Sequence, residues 1–124
     1  MMEPVFTGDV MVVEDNIVIA MDAEDLVRSL GAANVHGAAS VEQAEAIMAH
    51  ADLEAAILDY NLENETSEAV ADSLVERGVP FAFATGYSGL GELPERFRNQ
   101  VLLEKPYSDD DIRSAFAGRI RTAA

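Results

Sequence analysis

Short apolar runs alternate with longer amphipathic stretches along the 124 residues of this chain. This alternation is typical of βα units arranged around a parallel sheet. It predicts five strands, at residues 10–13, 35–38, 55–58, 81–84 and 101–103. Right-handed crossovers between them favour an α/β fold, a flavodoxin-like doubly wound five-stranded parallel sheet with strand order 2-1-3-4-5 and five helices.

The helices are predicted from apolar periodicity and from residues that favour helix ends. We expect helices at residues 17–30, 41–50, 67–76, late within 86–99, and from 108 onwards. Three serines are predicted N-caps, Ser40, Ser67 and Ser108, and Gln43 is placed to complete a capping box with the first of them. The fourth helix should be short, because three glycines and Pro94 interrupt residues 86–99.

Composition limits the class of protein. An apolar content of 49% is enough for one compact domain, residues 1–124, without a linker or an output domain. The absence of cysteine and of any run near the roughly 20 apolar residues of a membrane helix leads us to expect a cytoplasmic protein without membrane contact. Twenty-three acidic residues against eight basic ones argue against direct binding to nucleic acid.

Polar residues end four of the apolar runs. Glu14 and Asp15 follow the first run, Asp59 the third and Thr85 the fourth, while Lys105, the only lysine, follows the fifth. In open α/β sheets the carboxyl ends of the strands form the ligand-binding edge. We therefore expect three carboxylates, a hydroxyl and an ammonium group to share one site.

Three carboxylates in one site require a counter-charge. Two like charges about 4 Å apart repel by roughly 4 kcal/mol at an effective dielectric constant near 20. Oxygen ligands without histidine or cysteine favour Mg²⁺ or Mn²⁺. Such a site suits phosphoryl transfer to a carboxylate, and Asp59 is the best nucleophile because it stands alone at the end of the central run.

These residues resemble the conserved site of the receiver domains of two-component response regulators. The resemblance spans nearly the whole chain and rests on four segments: VVEDN (12–16), ILD (57–59), ATG (84–86) and EKP (104–106). It implies that Asp59 is the phosphoacceptor in a protein that catalyses only its own phosphorylation and dephosphorylation. The other implied roles are Asp15 as a direct Mg²⁺ ligand, Glu14 as a ligand largely through water, the carbonyl of Asn61 as a further ligand, and Thr85 and Lys105 as contacts of the phosphoryl group.

The segment PFAFATGY, residues 80–87, is similar to the signature of the FAT GUY group of stand-alone receivers. This group occurs in alphaproteobacteria and is often linked to general stress signalling. The resemblance implies a sensor histidine kinase, of the HWE or a related class, as the phosphodonor. It also implies a downstream protein partner or phosphotransferase.

One position departs from the common receiver pattern. Many receivers have an aromatic residue three positions before the lysine, where this chain has Leu102. Tyr87 and Phe97 are candidates to replace that aromatic switch. The bond between Lys105 and Pro106 resembles a receiver bond that is commonly cis.

Two further segments are candidates for signalling. Residues 86–93 are rich in glycine, and we expect phosphorylation to order them. On the first helix, Ile17, Val18 and Met21 widen the apolar surface beyond what one buried face needs, so this helix is either buried more fully by the sheet or docks the kinase.

Two other functions remain open at this stage. A pseudo-receiver adaptor would keep the fold and bind partners without phosphorylation. A haloacid-dehalogenase-like phosphatase would also combine Asp, Thr, Lys and Mg²⁺, but its nucleophile lies on the first strand. A flavin-binding flavodoxin is less favoured, because no phosphate-binding loop follows strand one.

Overall fold

The computed structural model describes residues 4–85, 93–97 and 100–119. In these ranges seven strands, four α-helices and one 3₁₀ turn follow each other along the chain. Their order is β1 (Asp9–Val13), α1 (Ile17–Ser29), β2 (Asn34–Ala38), α2 (Val41–His50), β3 (Leu53–Asp59), β4 (Asn61–Leu62), β5 (Glu65–Thr66), α3 (Glu68–Arg77), β6 (Phe81–Thr85), the 3₁₀ turn (Glu95–Phe97), β7 (Val101–Glu104) and α4 (Asp109–Phe116).

The five longer strands form one parallel sheet with the order β2-β1-β3-β6-β7. Counted among themselves, these strands have the predicted order 2-1-3-4-5, so the flavodoxin-like fold is confirmed. The two-residue strands β4 and β5, which pair antiparallel between β3 and α3, were not predicted. Within residues 86–99, where a short and late fourth helix was predicted, residues 93–97 are described, and Glu95–Phe97 forms a 3₁₀ turn in place of an α-helix.

Both faces of the sheet are buried. Side chains on a strand point alternately to opposite faces, so Val10 and Val12 of β1 join one apolar cluster while Met11 and Val13 join the other. The first cluster includes residues of α1 and α4, and the second includes residues of α2 and α3. Helices therefore cover both faces of the sheet and leave its carboxyl edge, where the loops begin, as the place for a site.

The three predicted serine caps behave differently. Ser108 forms a complete capping box with Asp111 at the start of α4. At Ser40 the hydroxyl accepts from the Gln43 N–H at 3.2 Å, but the Gln43 side chain accepts from the Ala39 N–H, so the predicted box is only half formed. Ser67 occupies the N-cap position of α3 without a side-chain cap bond, because its backbone dihedral angles (φ −87°, ψ 17°) are not those of an extended cap residue.

The helices of the described ranges are all too short or too polar to cross a membrane.

Candidate functional site

The polar residues singled out from the sequence lie together at the carboxyl edge of the sheet. Glu14 follows β1, Asp59 ends β3 and Thr85 ends β6. The backbone N–H of Lys105 donates to the Thr85 carbonyl oxygen at 2.9 Å, which extends the pairing of β6 with β7 by one residue. Strand register thus brings residues far apart in sequence to one edge.

Lys105 links two of the carboxylates. Its Nζ lies 2.6 Å from Oε1 of Glu14 and 3.0 Å from Oδ2 of Asp59. The side chains of the three residues are between 5% and 16% exposed, so water screens these ion pairs only weakly. The Lys105–Pro106 peptide bond is cis, as the resemblance implied.

Glu14, Asp15 and Asp59 form an acidic cluster. Each offers one carboxylate oxygen, and these oxygens lie within 4.8 Å of one another. Lys105 offsets one of the three negative charges and leaves a net charge of about −2. An all-oxygen donor set of this charge fits Mg²⁺ or Mn²⁺. Asn61, whose carbonyl is the fourth expected ligand, lies two residues after Asp59 at the start of β4.

The pKa values of the carboxyl groups diverge. Burial raises the pKa of Asp59 to about 6, with Glu14 adding to the increase and Lys105 opposing it. Burial also raises the pKa of Asp15, together with a hydrogen bond to Glu14. For Glu14 burial works in the same direction, but hydrogen bonds from Lys105 and from the Asn16 N–H outweigh it and lower the pKa.

The ammonium group of Lys105 stays charged. Burial alone would lower the pKa of Lys105, but hydrogen bonds to Glu14 and Asp59 outweigh this effect and raise it. The site therefore holds one fixed cation beside two carboxylates that compete for it. Asp59 is the less firmly ionised of the two.

Thr85 is almost fully buried at the end of β6. Of the candidates for the aromatic switch, Phe97 is buried and packs edge-on against Phe83, with ring centroids 5.4 Å apart. Leu102 is partly buried against the same apolar cluster. Tyr87 and most of the glycine-rich segment 86–93 lie outside the described residues.

Tyr107 also lies near the site and was not among the residues predicted from the sequence. Burial raises the pKa of this hydroxyl, and the charges of Glu14 and Asp59 raise it further, which places Tyr107 in the electrostatic field of the site. Its ring lines a groove between α1 and the loop after β7, together with Ile19, Leu26 and Pro106. Its position two residues after Lys105 is the sequence feature that could have placed it near the site.

The surface of α1 settles one alternative. Ile17, Val18 and Met21 are 73%, 65% and 59% exposed, so the sheet does not bury them. They lie at the start of the helix that directly follows Glu14 and Asp15. An exposed apolar patch therefore borders the acidic cluster.

Solved structures of other proteins match this chain over most of its length. The solution structure of SdrG from Sphingomonas melonis Fr1 is 37% identical, covers 91% of this chain and 96% of its own, and has a TM-score of 0.81. The PhyR response regulator REC domain from Erythrobacter litoralis is 28% identical, and the match covers 95% of this chain and 97% of that domain with a TM-score of 0.74. This chain belongs to the response regulator receiver domains.

A second structure of the SdrG protein, from Pseudomonas melonis Fr1, shows its BeF₃-activated conformation. This receiver domain matches it at 36% identity, with 94% of this chain and 97% of that chain covered and a TM-score of 0.74. No family model and no curated protein matches the chain.

Proposed function

We propose that this receiver domain accepts a phosphoryl group on Asp59 from a phosphohistidine of a sensor histidine kinase. The observation that carries the proposal is the contact of one ammonium group with both Glu14 and Asp59, beside the third carboxylate of Asp15. A structural ion pair needs one carboxylate, whereas three around one lysine leave charge for a cation to neutralise.

The chemical step is an in-line displacement at phosphorus. A carboxylate oxygen of Asp59 forms the new P–O bond while the P–N bond of the phosphohistidine breaks, and the electron pair of that bond remains on the imidazole nitrogen. Lys105 is placed to neutralise charge on the phosphoryl oxygens. The Thr85 hydroxyl would donate a hydrogen bond to one of those oxygens.

Mg²⁺, or Mn²⁺, is the proposed cofactor. Glu14, Asp15 and Asp59, with the carbonyl of Asn61, would hold it, and when bound it would neutralise the carboxylates and the phosphoryl oxygens. Without a cation the site carries two uncompensated charges, so phosphorylation is expected to depend on the metal.

The exposed patch on α1 is the proposed docking site for the kinase. Ile17, Val18 and Met21 are exposed and apolar, and the exposed acidic residues Asp22 and Asp25 follow them on the same helix. This arrangement suits a partner helix with an apolar face and a basic rim. Ile17→Glu and Met21→Glu should slow transfer from the kinase and leave phosphorylation by acetyl phosphate unchanged; an equal loss in both assays would reject this site.

The pathway is proposed from the relatives. Another structure describes PhyR as a stress response regulator; it is 29% identical, and this chain covers 45% of its length. We therefore assign this receiver domain to stress signalling in the cytoplasm, with an HWE-class kinase upstream and a protein partner or phosphotransferase downstream.

A mass measurement tests the central proposal. Purified protein is incubated with acetyl phosphate and Mg²⁺, and we expect a mass increase of one phosphate that is stable in acid and labile in base. Asp59→Asn should abolish the increase, and Asp52→Asn, at an exposed position outside the site, should not. Folded wild-type protein without the increase would favour the adaptor, and steady turnover of generic phosphate esters would favour the phosphatase.

A further inference from the structure

Glu68, the first residue of α3, contacts two separate parts of the chain with its two carboxylate oxygens. Oε2 accepts hydrogen bonds from the Tyr60 hydroxyl at 2.9 Å and from the Thr66 hydroxyl at 3.2 Å. Oε1 accepts from Nη2 of Arg96 at 3.0 Å. One carboxylate thus connects the loop after β3 with the segment 93–97.

Arg96 fixes that segment to α3. Its Nε and Nη2 donate to the two carboxylate oxygens of Asp72, each at 3.2 Å, and the planar guanidinium group matches this paired geometry. The guanidinium carbon also lies 4.4 Å from the centre of the Phe97 ring. Segment 93–97 therefore has two carboxylate anchors on one helix, Glu68 and Asp72.

Only one of these anchors contacts the neighbour of the phosphoacceptor. Tyr60 directly follows Asp59, and its hydroxyl bonds to Glu68. The Tyr60 ring packs edge-on against Phe83, two residues before Thr85, with centroids 5.9 Å apart. A displacement of Asp59 would move Tyr60, and Tyr60 is bonded to the carboxylate that holds Arg96.

We propose that Glu68 is a positioning residue that couples the loop beginning at Asp59 to the segment 93–97. The inference rests on the proposed phosphorylation of Asp59. New contacts of the phosphoryl group pull on the backbone at Asp59, the Tyr60 hydroxyl follows, and Glu68 transmits the shift to Arg96. Asp72 anchors the same segment and takes no part in this coupling.

The structure supplies a matched pair of variants for the test. Glu68→Ala and Asp72→Ala each remove one carboxylate partner of Arg96 from α3, but only Glu68→Ala also removes the carboxylate that accepts from the Tyr60 hydroxyl. Tyr60→Phe removes only the hydroxyl that donates to Glu68. It tests the same coupling if Glu68→Ala does not fold. BeF₃⁻ with Mg²⁺ serves as the probe, and the measured quantities are its Kd and the shifts of the amide NMR signals of Glu95 and Phe97.

Addition of BeF₃⁻ should shift both amide signals in the wild type. We expect Glu68→Ala and Tyr60→Phe to reduce these shifts to about half or less, while Asp72→Ala retains most of them. Equal shifts in all four proteins, or an equal reduction in Glu68→Ala and Asp72→Ala, would overturn the coupling. A wild type that does not bind BeF₃⁻ would overturn the proposed function itself, which separates the two failures.

Discussion

Removal of the Asp59 charge is expected to stabilise the metal-free protein. The Asp59 carboxylate is 12% exposed and shares its only described cation, Lys105, with Glu14. Burial and the charge of Glu14 raise its pKa to about 6, although Lys105 opposes the increase. The ionised form is therefore less favourable in the folded state than in the unfolded chain.

The size of the effect follows from the pKa difference. An increase from 3.8 to about 6 corresponds to roughly 3 kcal/mol lost on folding when the group is fully ionised. Because the folded-state pKa is the higher one, this loss is absent below about pH 4, grows as the pH rises through the window between the two values, and is complete above about pH 6. Asparagine keeps the shape of the side chain and an oxygen acceptor for Lys105, so Asp59→Asn should stabilise the protein by roughly 1–3 kcal/mol at pH 8 and by about half as much at pH 5.

Urea denaturation in EDTA at pH 5 and pH 8 measures this difference, with Asp52→Asn as the exposed control. The control should change the free energy of unfolding by less than about 0.5 kcal/mol at either pH. If Asp59→Asn were less stable than the wild type at pH 8, or equally more stable at both pH values, the buried charge would not be the cause and the argument would be refuted.

Three further predictions concern the same cluster and the helix caps. Lys105→Met should destabilise the protein by roughly 1–3 kcal/mol at pH 8 in EDTA, and by less when Asp59→Asn is also present, because both changes act on one charge cluster; equal losses in both backgrounds would contradict this. Isothermal titration should show Mg²⁺ binding about tenfold more weakly at pH 5 than at pH 8, since a proton on Asp59 competes with the metal below a pKa of about 6; unchanged affinity would exclude Asp59 as a ligand. Ser108→Ala should lower the free energy of unfolding by about 1 kcal/mol through loss of the capping box, whereas Ser67→Ala should not lower it, because the Ser67 hydroxyl is buried without a hydrogen-bond partner in the described part of the chain.

The sheet was predictable because its signal is local. Each apolar run identifies a strand by itself, and the handedness of the crossovers then restricts the order of the strands. The caps were less predictable, since a serine in the right place caps a helix only if its backbone is extended, as at Ser108 and not at Ser67. The β4–β5 hairpin was missed because strands of two residues carry no periodicity.

The acidic cluster and Lys105 could be anticipated because each residue ends a strand or follows one by one or two positions. The surroundings of the cluster could not. Glu68 contacts Arg96 across 28 positions of sequence, so this contact has no local signal, and for Tyr107 the sequence offered only its position two residues after Lys105. Such contacts depend on how loops pack on the finished sheet.

The single lysine of this arginine-containing chain suits its place better than arginine would. Two of the described arginines each bind two separate groups through their guanidinium nitrogens. Arg96 donates to two carboxylates on α3, and Arg119 donates to the carbonyl oxygens of Ala115 and Phe81. At the acidic cluster, Glu14 and Asp59 approach one nitrogen at 2.6 and 3.0 Å. A guanidinium Nη has two N–H donors, and these two carboxylates would use both of them. An ammonium group has three N–H donors. Glu14 and Asp59 can accept from two of them, so in the proposed phosphorylation the third would donate to a phosphoryl oxygen without loss of the contacts that hold Lys105 in place.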